Sequence, residues 1–196
     1  MLLVVGDSVP LGHRSDALAW PHRVPPLLDG DRDEPVSVHA RTGVALADLA
    51  ATVADAVART ASEPSLTVLV HAGHNDAQLR EGAPRVDPAA FRDAAGALDR
   101  RLDAHPAVDR HLFVGLVPLL PSDRPGAVPF ADVQPARSLA YDDLLAWTVA
   151  EHVPLARPVS AWRDRTVDGV HPTGDGHGYV ADRVAAALHG DGRTLD

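Results

Sequence analysis

Short apolar runs alternate with amphipathic stretches along the chain. Five of the runs are too short for a typical helix. This pattern is typical of strands that are buried on both faces of a parallel sheet. The runs cover residues 2–6, 36–40, 66–72, 111–117 and 152–156.

Between these runs, apolar residues recur at helical spacing and predict amphipathic helices. The alternation of strands and helices predicts an α/β fold, a three-layer α/β/α sandwich around a five-stranded parallel sheet. The predicted helical faces carry Leu46, Leu49, Val53 and Val57; Phe91, Ala95, Leu98 and Leu102; Leu145 and Val149; and Val180, Val184 and Leu188, before a helix stop at Gly190.

Two stretches are less regular. Residues 16–28 predict a helix that Pro25-Pro26 interrupts. Residues 118–135 contain five prolines and follow the fourth predicted strand, so we expect them to lie over the carboxyl edge of the sheet. Either they form an ordinary surface loop or they wall a pocket, with Leu119 and Leu120 in its apolar lining.

Composition narrows the possible chemistry. The 196 residues, 45% of them hydrophobic, suit one domain, assigned here to residues 1–190 with a short tail at 191–196. The chain has no cysteine, and all 18 basic residues are arginine. Disulfide scaffolds, thiolate metal sites and cysteine or lysine nucleophiles are therefore excluded.

Charge and hydropathy bear on partners and location. The 27 acidic residues give a net charge of −9 without a basic run, which argues against nucleic acid as a partner. The apolar run at the N-terminus is too short for a signal peptide, and no run reaches the roughly 18 apolar residues that span a bilayer. We therefore expect a cytoplasmic protein without a membrane span.

Four short motifs could carry chemistry, although each has an ordinary structural interpretation. Gly-Asp-Ser at 6–8 is either a turn or a serine at a helix N-terminus. Gly43 follows the second strand, and Gly-His-Asn-Asp at 73–76 is either an Asx turn or a source of an amide donor. Asp-Gly-Val-His-Pro at 168–172 either caps a helix or pairs a carboxylate with an imidazole.

The joint placement of these motifs favours the chemical interpretation. Each one follows a strand or precedes the last helix, on the side where the carboxyl ends of parallel strands converge. A serine, a glycine amide, an asparagine and a histidine with its aspartate can therefore reach one crevice. This set supplies the nucleophile, the base with its orienting group and the oxyanion donors that acyl transfer requires.

The ordered motifs resemble those of the SGNH (GDSL-type) hydrolases. The resemblance spans residues 6 to 177, and each motif is short but the ordered set is specific. The matching residues are Gly6-Asp7-Ser8 with Gly12, then Gly43, then Gly73-His74-Asn75-Asp76, then Asp168-Gly169-Val170-His171-Pro172 with Gly176-His177.

This resemblance implies a flavodoxin-like sheet of order 2-1-3-4-5 and a triad of Ser8, His171 and Asp168. It also implies an oxyanion hole formed by the Ser8 amide, the Gly43 amide and the Asn75 side chain, and it implies no metal or organic cofactor. We further expect substrate contacts from residues near these motifs and from the long loop, namely Asp7, His74, Leu119, Leu120 and Val170.

The expected function is that of a serine esterase acting on a small ester or thioester. A carbohydrate O-acetylesterase or an acyltransferase of the same family stays open as an alternative, and a flavodoxin-like binding module without catalysis is a further one. A metal site at His171, Asp175 and His177 is disfavoured because the base and helix-start roles already explain these residues. Acyl length, the alcohol or thiol carrier and the oligomeric state are not determined by the sequence.

Overall fold

A computed structural model describes residues 1–28, 35–60, 65–80 and 82–190. The predicted tail at 191–196 lies outside these residues. The strands are β1 (Leu2–Gly6), β2 (Val36–Ala40), β3 (Leu66–His71), β4 (Leu79–Arg80), β5 (Ala83–Pro84), β6 (Val108–Val114) and β7 (His152–Val153), and the helices are α1 (Leu46–Thr60), α2 (His74–Ala77), α3 (Pro88–Asp103), α4 (Gln134–Thr148), α5 (Trp162–Arg165) and α6 (Gly174–Leu188).

The main sheet contains five parallel strands in the order β2-β1-β3-β6-β7, which confirms the predicted α/β class. β1 is central enough to pair on both sides, with Leu2 opposite Val36 and Thr67. The short strands β4 and β5 form a separate antiparallel pair that the sequence pattern did not predict. Counted without that pair, the strand order of the main sheet is 2-1-3-4-5.

Two predicted strands differ from the observed ones by more than one residue, and β3 ends at His71, one residue before its predicted bound. β6 begins three residues before the predicted run and ends at Val114, because residues 115–117 stay buried after the chain has left the sheet. The Gly115 amide still donates to the Val153 carbonyl, but the amides of Leu116 and Val117 donate to the side chains of Asp142 and His74. β7 has only two residues and ends before Pro154, which has no amide hydrogen to donate to a strand neighbour.

The helix expected in residues 16–28 is wrong. The structure has two short 3-10 turns there, Trp20–Arg23 and Pro25–Leu27. Prolines at the start of each turn remove the amide donors that a continuing α-helix needs. The indole of Trp20 is nevertheless fully buried and anchors the segment to the core.

The helices cover the sheet in two groups. α1 packs against α3 and α3 against α4, while α6 packs against α5 and the 3-10 turn at Trp20. The apolar faces predicted from helical spacing lie in the core, including Leu49 and Val53 of α1 and Leu98 of α3. Within the described ranges, no helix is both long and apolar enough to cross a membrane.

Candidate active site

Ser8 lies in the turn that directly follows β1. The turn begins at Gly6, where β1 and β3 approach so closely that a β-carbon would lie 2.3 Å from the carbonyl oxygen of His71. The Asp7 amide donates to that same oxygen, and the Ser8 carbonyl accepts from the His13 amide at 3.1 Å. The nucleophile candidate is thus held at the carboxyl end of a central strand, at the edge of the buried region.

Asp168 and His171 lie in a tight loop before α6. An isolated antiparallel bridge between Thr166 and Pro172 closes the loop at its base. Inside it, Asp168 Oδ1 accepts from the amides of Val170 and His171, at 3.2 and 2.9 Å. These backbone bonds fix the carboxylate independently of its contact with the imidazole.

The structure brings Ser8, His171 and Asp168 into one hydrogen-bonded row. His171 Nδ1 lies 2.7 Å from Asp168 Oδ2, and His171 Nε2 lies 2.9 Å from Ser8 Oγ. Burial raises the pKa of Asp168, but hydrogen bonds from the His171 side chain and amide outweigh it and hold that pKa well below its ordinary value. An ionised Asp168 accepts from Nδ1–H, which leaves Nε2 free to accept the Ser8 hydroxyl proton.

The three expected oxyanion donors lie around the same edge of the sheet. Gly43 is in the turn between β2 and α1, and Asn75 is in α2, directly after β3. One Asn75 amide proton is donated to the carbonyl of Val44 at 3.1 Å, which orients the side chain and leaves its second proton unassigned. Among the described residues, the Ser8 and Gly43 amides have no bonded acceptor.

A second histidine–aspartate pair lies beneath the Ser8 turn. His74 Nδ1 is 2.8 Å from Asp7 Oδ2, and His74 Nε2 accepts from the Val117 amide at 3.0 Å. The proton of this imidazole is therefore on Nδ1 and is donated to Asp7. Burial raises the pKa of Asp7, but the electrostatic attraction and hydrogen bond of the His74 ring outweigh it and lower that pKa, so the carboxyl stays ionised.

Both members of this pair are buried, with Asp7 fully enclosed. Their placement favours support of the Ser8 turn over direct contact with a substrate. Asp7 also accepts from the Val9 amide at 3.0 Å, so its carboxylate joins the turn after β1 to the helix after β3. The sequence motif placed both residues near the site but gave no signal that they bond to each other.

The next residue of the α2 motif, Asp76, caps a different helix. Both of its carboxylate oxygens accept from the Leu46 amide at 3.2 Å, at the first residue of α1. Burial and the nearby Asp7 charge raise the pKa of Asp76 to about 6, although the bond from Leu46 opposes the shift. The motif at 73–76 thus fixes the positions of β1, the β2–α1 turn and α1 relative to one another.

The residues expected to line an apolar pocket are mostly buried in the core. Leu119 and Val170 lie in the hydrophobic core. Leu120 is also buried, yet it contributes to a cavity of about 500 Å³ whose other walls include Arg124, Arg163 and Thr166. The polar lining of this cavity could not be inferred from the apolar positions of the loop.

Arg14 is a site residue that motif reasoning missed. Its guanidinium Nη1 donates to Asp168 Oδ2 and to the carbonyl of Gly126, both at 2.8 Å. His177, expected on the last helix, is buried and accepts from the Trp20 amide through Nδ1. In residues 1–28, 35–60, 65–80 and 82–190, no three His, Asp or Glu side chains are grouped to hold a metal ion.

Comparison with known proteins gives a likeness of fold. No protein-family model and no curated protein sequence matches the chain. LAE5, an alpha/beta hydrolase enzyme from the metagenome of Lake Arreo, Spain, is 19% identical over 96% of this chain and 94% of its own, with a TM-score of 0.70.

Two further solved structures are acetylxylan esterases. AlAXEase is 18% identical over 96% of this chain and 100% of its own, with a TM-score of 0.73. Axe2 from Geobacillus stearothermophilus is 16% identical over 93% of this chain and 91% of its own, with a TM-score of 0.69. At these identities the likeness establishes a shared fold.

Proposed function

We propose that this chain is a serine esterase of the SGNH type, with Ser8 as nucleophile, His171 as general base and Asp168 as the group that orients it. The observation that carries the proposal is the continuous row from Ser8 Oγ to His171 Nε2 and from His171 Nδ1 to Asp168 Oδ2, at 2.9 and 2.7 Å. The fold neighbours, which are hydrolases and esterases, support it.

The reaction divides into two acyl transfers. His171 Nε2 takes the hydroxyl proton as Ser8 Oγ attacks the acyl carbonyl, and the resulting imidazolium is stabilised by Asp168. The same proton then passes to the leaving alcohol or thiol, and an ester bond to Ser8 remains. Water, activated in turn by His171, releases the acid and restores the serine. All of these groups belong to the chain, so the proposed chemistry needs no metal or organic cofactor.

The oxyanion of each tetrahedral intermediate is assigned to the amides of Ser8 and Gly43 and to the Asn75 side chain. Removing one such donor costs about 10²–10³ in rate in comparable sites. We therefore expect Asn75→Ala to lower kcat by that factor while the acyl-enzyme still forms. An Asn75→Ala enzyme with unchanged kcat would remove this side chain from the oxyanion hole.

The substrate class within this chemistry is narrowed only by the neighbours. Two of them are named acetylxylan esterases, so acetyl esters of sugars are the first alternative to simple small esters or thioesters. A panel of p-nitrophenyl esters of increasing acyl length, acyl thioesters and acetylated xylo-oligosaccharides distinguishes these classes. A sugar acetylesterase would show the highest kcat/KM on the acetylated oligosaccharides.

Replacement of Ser8 by alanine tests the assignment directly. We expect Ser8→Ala to abolish turnover of p-nitrophenyl acetate and labelling by a fluorophosphonate, with an unchanged melting temperature. Ser15→Ala is the matched control, because Ser15 lies in the same loop and, in the part of the chain that the structure describes, its hydroxyl oxygen bonds only to the nearby Ala17 amide. Full activity in Ser8→Ala would refute the proposed function.

A further inference from the structure

The backbone of Arg14 has an unusual conformation. Its φ angle is +62°, and it is the one non-glycine residue with positive φ among those the structure describes. Residues other than glycine rarely adopt this conformation, because their β-carbon crowds the neighbouring carbonyl. Such strain persists where surrounding contacts impose it, and it is concentrated at functional sites.

The contacts that impose it come from two distant parts of the chain. Arg14 Nη1 donates to Asp168 Oδ2 and to the carbonyl oxygen of Gly126, both at 2.8 Å. Asp168 Oδ2 is the same oxygen that lies 2.7 Å from His171 Nδ1. One guanidinium nitrogen therefore joins the Ser8 turn, the long loop after β6 and the carboxylate of the proposed triad.

The neighbouring residue contacts the other half of the same pair. The ring of His13 packs edge-on against the ring of His171, with centroids 5.0 Å apart, and the His13 amide donates to the Ser8 carbonyl. In the described part of the chain, the charged and titratable groups around His171 are Asp168, Arg14, His13 and, on α6, His177. Arg14 is the permanent cation of this set.

We propose that Arg14 is a positioning residue that holds the Asp168 carboxylate in line with His171 Nδ1. The proposal rests on the proposed function. The guanidinium donates to the same oxygen as the imidazole, so the carboxylate cannot rotate away from Nδ1 without losing a charge-assisted bond.

In the full chain, the variants Arg14→Ala, Arg14→Gly and Arg14→Lys separate the guanidinium contact from the backbone conformation of the loop. Glycine adopts positive φ without strain, so Arg14→Gly can keep the shape of the loop while the guanidinium is lost. Lysine keeps the charge. Arg92→Ala is the matched control, because Arg92 forms an exposed ion pair with Asp93 on α3.

With p-nitrophenyl acetate, we expect Arg14→Ala and Arg14→Gly to lower kcat about tenfold and to leave KM within about twofold. Arg14→Lys keeps a charged donor toward Asp168 Oδ2, so it should restore kcat to within about threefold of the wild-type value. Arg92→Ala should change neither kcat nor KM.

A wild-type kcat in Arg14→Gly would overturn the inference. An Arg14→Lys enzyme as slow as Arg14→Ala would also overturn it, because loss of loop structure alone predicts that result. Fluorophosphonate labelling of Ser8 in the unaltered protein distinguishes this failure from a failure of the proposed function. If the unaltered protein neither turns over ester nor is labelled, both proposals fall.

Discussion

Replacing Gly169 by alanine tests how finely the loop that carries Asp168 and His171 has to be placed. Gly169 lies between them with φ of +98°, and its carbonyl accepts from the Leu120 amide at 2.8 Å. An added β-carbon would lie 2.2 Å from the Leu120 carbonyl oxygen. Such contacts do not occur below about 3.0 Å, so the two backbone segments would have to separate by most of an ångström.

Two costs follow from this geometry. Positive φ for alanine costs about 1 kcal/mol, and the forced separation adds the loss of the bond between Leu120 and Gly169, about 1 kcal/mol more. We therefore expect the free energy of unfolding to fall by about 2 kcal/mol. Because a 1 Å misplacement of catalytic groups costs about 10²-fold, kcat/KM should fall by about that factor.

Gly82→Ala is the control for backbone strain alone. Gly82 has φ of +82°, and an added β-carbon there would meet no atom within 4 Å. We expect Gly82→Ala to lower the free energy of unfolding, measured in urea, by about 1 kcal/mol and to keep the wild-type kcat/KM on p-nitrophenyl acetate. If Gly169→Ala behaves like Gly82→Ala in both assays, the close approach of the two loops does not position the site.

Two further predictions concern the buried ionisable groups. His74→Ala leaves the Asp7 carboxylate buried without its partner, so it should lower the free energy of unfolding by about 3 kcal/mol in urea titrations. The double variant His74→Ala with Asp7→Ala removes the unpaired charge as well, so it should lose less stability than His74→Ala alone. An equal or larger loss in the double variant would contradict this cause. Burial lowers the pKa of His71 to about 3, and burial together with the nearby charge of Arg23 lowers the pKa of His177 to about 4. As pH falls below about 6.5, these two histidines therefore take up protons in the unfolded chain but not in the folded one. The raised pKa of Asp76 has the opposite effect, because below about pH 6 the folded chain takes up this proton first. One such group opposes the two histidines, so the net free energy of unfolding should drop by about 2 kcal/mol between pH 7 and pH 5. A free energy of unfolding that stays constant or rises over this range would contradict the assignment.

Much of the fold followed from residue order alone. Buried parallel strands are continuous apolar runs, and amphipathic helices repeat every 3.6 residues, so both signals survive without any tertiary information. The strand bounds were less accurate where burial and strand conformation separate. Leu116 and Val117 are apolar and buried, but their amides bond to the side chains of Asp142 and His74, which no local pattern encodes.

The candidate site divides in the same way. Ser8, Asn75 and His171 were placed together from sequence because the carboxyl ends of parallel strands converge at one edge whatever the side chains are. The expected contacts of Asp7 and His74 with substrate did not anticipate that these two side chains are buried against each other. Spacing identifies residues at an edge, but it does not give the direction of a side chain.

The sequence by itself determined the α/β class, the parallel sheet and the set of residues that meet at its carboxyl edge, because these depend on periodicity and chain order. Tertiary structure alone decided that Arg14 reaches Asp168, which is 154 residues away, and that Gly169 lies against Leu120. Such contacts depend on how loops of unrelated sequence pack over the sheet. They have no local signature, because the energy that fixes them comes from partners far away in the chain.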